Sequence, residues 1–230
     1  MAKDTVDNAP REDAPRILWV EGSPKGERSL STACANAFLA GVRHDSPGAS
    51  VEHLDVWSED LPEFGGDAAH AKFAPLFGEE TTPEQDRIWA EVLGAIERLR
   101  SADLVVVSAP MWNWSIPYRL KHWLDIVVQP LISFTVNDQG EHVGVIGVGK
   151  QAQLILTRSS AYDGRSPEMV DHQQSYLEYL FGGMLGYALH PSFVVEPTTR
   201  WTAPEREALR NDAVADAEAA GRRFSFTERV

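Results

Sequence analysis

Two short segments carry the residue types from which chemistry could be built. The first reads Gly22-Ser23-Pro24-Lys25-Gly26-Glu27-Arg28-Ser29-Leu30-Ser31. Ser23, Ser29 and Ser31 each carry a hydroxyl able to donate to a monophosphate. Where such a loop opens a helix, free N–H groups and the positive end of the helix dipole add to them. Lys25 and Arg28 can add charge. The spacing is neither G-x-x-x-x-G-K-[ST] nor G-x-G-x-x-G, which disfavours a Walker loop and a Rossmann dinucleotide loop. The competing reading is a serine cluster that only caps the helix.

The second segment is Ala109-Pro110-Met111-Trp112-Asn113-Trp114-Ser115-Ile116-Pro117. Two tryptophans and a methionine around an asparagine suit the face of a flat π-system, and loop N–H groups suit its polar edge. The competing reading makes Trp112 and Trp114 ordinary core or interface residues. Metal chemistry has less support: the seven histidines show no H-E-x-x-H or paired i, i+4 spacing. No G-x-S-x-G nucleophile elbow occurs, and Cys34 sits in an alanine-rich helical stretch that suits packing.

Regular elements must hold these loops. RILWVE (16–21) is a short apolar run that predicts a buried strand, and SLSTACANAFLAGVRH has helical spacing with Ser29 or Ser31 as cap. ASVEHLDVW (49–57) predicts a second strand. Residues 58–82 mix Pro, Gly, acidic and aromatic residues, Phe64, Phe73 and Phe77 among them, and predict a long connection with short helical pieces. TPEQDRIWAEVLGAIERLRSA (82–102) predicts a helix capped by Thr82, with Ile88, Val92, Leu93, Ile96 and Leu99 on one stripe. DLVVVSAP (103–110) predicts a central strand buried on both faces. A helix over 117–128, a buried strand within 149–160, a helical segment over 168–187, a last strand in SFVVEPTTRW and a helix over 203–223 complete the pattern. Alternating strands and helices predict an α/β fold, a doubly wound parallel sheet with helices on both faces. Ligands then bind beyond the carboxyl ends of the strands, which selects the loops 22–31, 110–116 and 157–164.

Composition narrows the function further. The 230 residues suit one domain, and 43% hydrophobic with 24% charged residues is an ordinary globular balance. A net charge of −13 repels polyanions, so neither nucleic acid nor an anionic membrane is an expected partner. No stretch of 18 apolar residues predicts a membrane helix, and the first 15 residues lack the apolar core of a secretory signal. One cysteine excludes an internal disulfide framework and fits a cytoplasmic setting.

Taken together, the strand followed by GSPKGERSLS, the stretch APMWNWSIPYRLKHWLD, and LILTRSSAY resemble the FMN-dependent, NAD(P)H-using azoreductases and quinone reductases of the flavodoxin-like superfamily. The family pattern P-M-[YW]-N-F-x-[IV]-P stands here as Pro110-Met111-Trp112-Asn113-Trp114-Ser115-Ile116-Pro117, and L-K-x-[WYF]-[LIF]-D as Leu120-Lys121-His122-Trp123-Leu124-Asp125. The resemblance implies a flavodoxin-like fold over residues 16–224, between an N-terminal extension (1–15) and a short tail (225–230). It implies that Ser23, Ser29, Leu30 and Ser31 hold the FMN phosphate. Pro110, Met111, Trp112, Asn113 and Trp114 would lie along the flavin ring, and Thr157, Arg158, Ser159 and Ser160 on its pyrimidine side. Two serines replace the usual glycines in that third loop, and Trp114 replaces a phenylalanine.

The resemblance further implies a homodimer whose substrate pocket draws on Tyr162, Phe181, Met184 and Tyr187. It implies NADH or NADPH as donor and a quinone, azo or nitroaromatic compound as acceptor, reduced in ping-pong order. The alternative readings are a flavin-binding electron carrier and a specialised biosynthetic flavoenzyme with a different acceptor.

Overall fold

The structure, a computed structural model, describes residues 14–162, 164 and 169–226. Its first unit is strand β1 (Arg16–Glu21), helix α1 (Leu30–Asp45) and strand β2 (Ser50–Asp55). Helices α2 (Gly66–Phe77) and α3 (Pro83–Ser101) lead into strand β3 (Leu104–Pro110) and helix α4 (Tyr118–Val127). A small antiparallel pair follows, β4 (Phe134–Val136) with β5 (His142–Gly144), then strand β6 (Gln151–Thr157). Helix α5 (Gln174–Glu178), strands β7 (Ala188–Leu189) and β8 (Phe193–Val195), and helix α6 (Ala203–Arg223) complete it.

The main sheet runs β2-β1-β3-β6, with β7 and β8 pairing successive stretches of the outer edge of β6. All these pairings are parallel. The chain starts in the middle of the sheet, moves outward to β2, then crosses back to β3. The switch point therefore lies between β1 and β3.

Strand alternation divides the core in two. Leu18, Val20, Val105, Val107, Leu154 and Leu156 face α3 and α4, with Trp123 and Phe181. Ile17, Trp19, Leu104, Val106 and Ile155 face α1 and α6, with Phe38. Strands buried on both faces read as continuous apolar runs, which is why β3 and β6 were visible in the sequence. The buried stripe of α3 is narrower than its pattern predicts: Val92, Ile96 and Leu99 are buried, while Leu93 is exposed. Thr82 does cap this helix, in a reciprocal capping box with Gln85.

Three segments differ from their sequence patterns. The 58–82 connection contains the full three turns of α2, masked by Gly65, Gly66 and Gly78 at its ends and Pro75 within it. Within the segment 168–187 the described residues are helical only from Gln174, and from Tyr179 to Met184 the helix widens to a π-helical turn. Gly182 leaves room there for the Leu189 side chain, whose tip would lie 2.7 Å from an added Cβ. The last strand keeps only three residues, bracketed by Pro191 and Pro197, which have no N–H to give a ladder.

The expected N-terminal extension falls mostly on residues outside the described ones. Its last residue, Pro15, accepts a hydrogen bond from Ser50 N–H. At the other end Phe226 packs on Phe224, with ring centroids 5.0 Å apart.

Candidate functional site

β1 ends in Glu21, whose side chain is buried. One carboxylate oxygen accepts from Thr32 Oγ1 at 2.5 Å, and the other lies 2.9 Å from His53 Nε2. The first pairing ties the opening turn of α1 to the strand. The chain then leaves through Gly22, whose N–H donates to Ser108 O and whose carbonyl accepts from Trp57 Nε1. A Cβ on Gly22 would press on Leu120, Ser108 O and Ala109 at 3.1–3.3 Å, so glycine lets β1 turn here close against β3.

After a single 3₁₀ turn (Gly26–Arg28), Ser29 caps α1. Its Oγ accepts the Thr32 N–H and lies 3.0 Å from Ser31 Oγ. The first-turn N–H groups of Leu30 and Ser31 have no intrahelical carbonyl to reach.

The β3 loop reverses sharply. Trp112 and Ser115 exchange N–H···O bonds, both 2.9 Å, around Asn113 and Trp114. Both central residues have positive φ, 46° and 64°. Asparagine adopts this conformation readily. Tryptophan does not, and holding it there costs about 1–3 kcal/mol. His172 N–H donates to Trp114 O, which helps fix the turn from outside. Trp112 faces Trp57 at 5.5 Å, and Trp57 faces Tyr118 edge-on at 5.1 Å.

Two clefts adjoin these loops. The smaller, about 440 Å³, is lined by Ser23, Ser29, Leu30, Pro110, Met111, Trp112, Thr157 and Ser159 among the expected residues. The three loops therefore converge as the sheet rule predicts. Ser31 is buried just behind this wall, and Asn113 and Trp114 project to solvent. Ser160 does not line the cleft either.

Arg158 has a different position. Its side chain is almost wholly buried, bonding Asp171 at 2.8 Å and Glu196 at 3.1 Å. Gln173 and Gln174 accept from two more of its donors, and Tyr162 lies against its guanidinium at 5.4 Å. Arg158 thus clamps the end of β6 to the segments around 171–174 and 196. Phe181 and Tyr187 pack on each other in the core at 5.7 Å, and with Met184 they line neither cleft.

Sequence reasoning missed four contributors to the smaller cleft: Thr198, Arg206, Leu209 and Arg210. A signal existed for two of them. Arg206 and Arg210 are four apart and share one face of α6. Trp57 was missed as well, although it stands just beyond the carboxyl end of β2.

The larger cleft, about 750 Å³, lies beside the β3 loop. Phe64, Lys72, Ser115, Ile116, Tyr118, His122 and Tyr176 contribute to its wall. Burial lowers the pKa of Lys72, whose ammonium lies over Phe73 at 5.0 Å and Phe64 at 5.9 Å. Burial also pushes the Cys34 thiol up to about 11, against an opposing pull from Arg210, so it is a poor nucleophile at neutral pH.

A family model described as a flavodoxin-like fold matches residues 15–220. The FMN-dependent NADH:quinone oxidoreductase of Nitratidesulfovibrio vulgaris (strain DP4) is 39% identical over 202 residues, covering 87% of this chain and 95% of the relative. The chain belongs to this flavodoxin-like family. A second relative, the enzyme of the same name from Desulfotalea psychrophila, is 33% identical over 194 residues, with 84% and 91% covered. Among solved structures, azoreductase AzrA superposes with a TM-score of 0.80 at 24% identity, covering 91% of this chain and all of that one. An FMN-dependent NADH-azoreductase from Bacillus anthracis, in complex with FMN, gives 0.78 at 21% identity, covering 91% and 98%. These two likenesses show the flavodoxin-like fold.

Proposed function

We propose that the chain is an FMN-dependent NADH:quinone oxidoreductase that also accepts azo and nitroaromatic compounds. The observation that carries this reading is the smaller cleft. At the β1–β3 switch point it brings the Ser23 and Ser29 hydroxyls and the opening turn of α1 together with Trp112. The fit to FMN is specific. A phosphate needs donors and positive charge, and Ser23, Ser29, the opening turn of α1 and nearby cations supply them. A flat ring needs an aromatic and polarisable wall, and Met111 and Trp112 supply it. The names of the family relatives support the same cofactor and a nicotinamide donor.

When bound, FMN supplies the hydride chemistry, and the chain binds, orients and shields. Ser29, Leu30 and Ser31 anchor the phosphate end. The strained Asn113–Trp114 turn fixes the ring-side loop, while Arg158 locks the third loop through its buried ion pairs. No side-chain nucleophile is required. Donor and acceptor use one open face in turn, which gives ping-pong order. Initial-rate plots of NADH oxidation against a benzoquinone at several fixed concentrations should be parallel lines, and intersecting lines would contradict the shared face.

The assembly we propose is a homodimer, on grounds that differ from the sequence expectation. The aromatic residues of 176–187 largely fold into their own core. Exposed apolar surface instead clusters on and around the β4–β5 hairpin: Leu131, Val136, Val143, Val145 and Val148. A patch of this kind marks an interface. Light scattering should give twice the chain mass, and a monomer with full activity would contradict the assembly.

A further inference from the structure

The α6 wall of the smaller cleft has no assigned role. Arg210, from the middle of α6, reaches the 22–31 loop. Its guanidinium donates to Glu27 O at 2.7 Å and to Ser29 O at 3.4 Å. Those carbonyls are the negative ends of peptide groups flanking the phosphate-binding turn. Arg206, one turn earlier, bonds the carbonyls of Arg200 and Trp201 and lines the same cleft. Lys25 and Arg28 line it from the loop side. None of these four cations has a carboxylate partner among the described residues. In a chain of net charge −13, four cations converging without acidic partners are not explained by surface composition.

The register of α6 is set far from the cleft. Gly41 of α1 and Gly221 of α6 meet backbone to backbone. A Cβ on Gly41 would lie 2.3 Å from Glu218 O, and one on Gly221 would lie 2.0 Å from Phe38 O. From this contact, Ser29 is 12 residues back along one chain segment and Arg210 is 11 residues back along the other. At about 1.5 Å per helical residue the two reach nearly the same level. The glycine crossing therefore delivers Arg210 to the phosphate turn.

We propose that Arg210 is a positioning residue for the cofactor phosphate, and that with Arg206 it makes the site select a phosphorylated flavin over riboflavin. Arg210 holds the Glu27 and Ser29 carbonyls away from the anion, so that the N–H groups of Leu30 and Ser31 face it. Its charge and that of Arg206 offset the acidity of the rest of the chain. This inference rests on the FMN reading of the cleft.

The test compares the dissociation constants of FMN and riboflavin, read by quenching of flavin fluorescence, with melting curves run in parallel. Arg210→Met should weaken FMN by at least about tenfold and riboflavin by less than about twofold, since only FMN carries the charge that is lost. Arg210→Lys keeps the charge but not the two-pronged grip, and should recover part of the discrimination. Arg206→Met leaves the loop carbonyls held and should lower the FMN-to-riboflavin ratio by a few fold. If Arg210→Met does not fold, the Arg206→Met ratio decides. An unchanged ratio in the folded variants, or equal loss of both flavins, overturns the inference. A parental protein that binds no FMN would instead contradict the cofactor reading itself.

Discussion

The two clefts beside the 110–117 loop differ in what lines them. The smaller is lined by the Ser23 and Ser29 hydroxyls, the opening turn of α1 and the cations Lys25, Arg28, Arg206 and Arg210. The larger sets Phe64, Tyr118 and Tyr176 beside Lys121, His122, Asp125 and His172, with Lys72 held against aromatic rings. Trp112, Trp57 and Tyr118 form a continuous aromatic contact from one to the other. In the proposed reading the contrast separates anchoring from turnover: the smaller cleft would grip a charged phosphate with donors fixed by helix and strand ends, and the wider one would admit the flat molecules that come and go.

The sharpest way to break this division is to remove the anchor. Ser29→Ala with Ser31→Ala should weaken FMN binding more than tenfold: a hydrogen bond from the Ser29 hydroxyl to a charged group is worth about 1.5–3 kcal/mol, and the buried Ser31 hydroxyl 3.0 Å behind it is lost as well. Loss of the Ser29 cap on Thr32 N–H should also lower stability by about 1 kcal/mol. Titration of the apoprotein with FMN and a urea melt separate the two effects.

Trp112→Ala attacks the junction between the clefts. Aromatic contacts of this kind contribute about 0.5–1.5 kcal/mol beyond area. Flavin retention on gel filtration and turnover should therefore both fall several-fold while the fold survives. Parental retention would mean that Trp112 only packs on Trp57.

A smaller effect is expected at Asn113. Alanine is a poor test there, because a φ of 46° disfavours it. Asn113→Gly keeps the turn and removes only the side chain. We expect the rate of flavin reduction in stopped flow to change a few fold, with an almost unaltered melting temperature.

Lys72→Met should have the least effect on stability, and in an unusual direction. Burial lowers the folded-state pKa of Lys72 below its ordinary 10.5. The unfolded chain thus holds this proton more tightly, and the lysine opposes folding below its folded pKa. That opposition fades as pH rises through the alkaline window between the lowered and ordinary values. The variant should be at least as stable as the parent at pH 7, with the difference narrowing in alkali. A lower melting temperature at neutral pH would show that Lys72 is kept for its cation–π contacts.

Much of this was legible in the sequence where one local rule governed. The apolar runs of β1, β3 and β6, the Thr82-Pro83 start of α3 and the serine loop each depend on near neighbours. Long-range partners were not legible. Nothing near Arg158 announces that Asp171 and Glu196 will bury it, and nothing near Glu27 announces Arg210. The hairpin β4–β5 and strand β7 are two or three residues long, too short to show a period. Tyr176–Tyr187 showed aromatic content but not direction, and most of its side chains point inward.

The central claim is that the hydroxyl-lined cleft holds FMN where a nicotinamide can reduce it. The direct measurement is anaerobic. The purified protein is saturated with FMN, passed over a desalting column, and mixed with NADH while the visible flavin band is followed. The account predicts that flavin elutes with the protein, that NADH bleaches its band, and that a quinone added without oxygen restores it. Protein that emerges without flavin, or bound flavin that NADH leaves coloured, would contradict it.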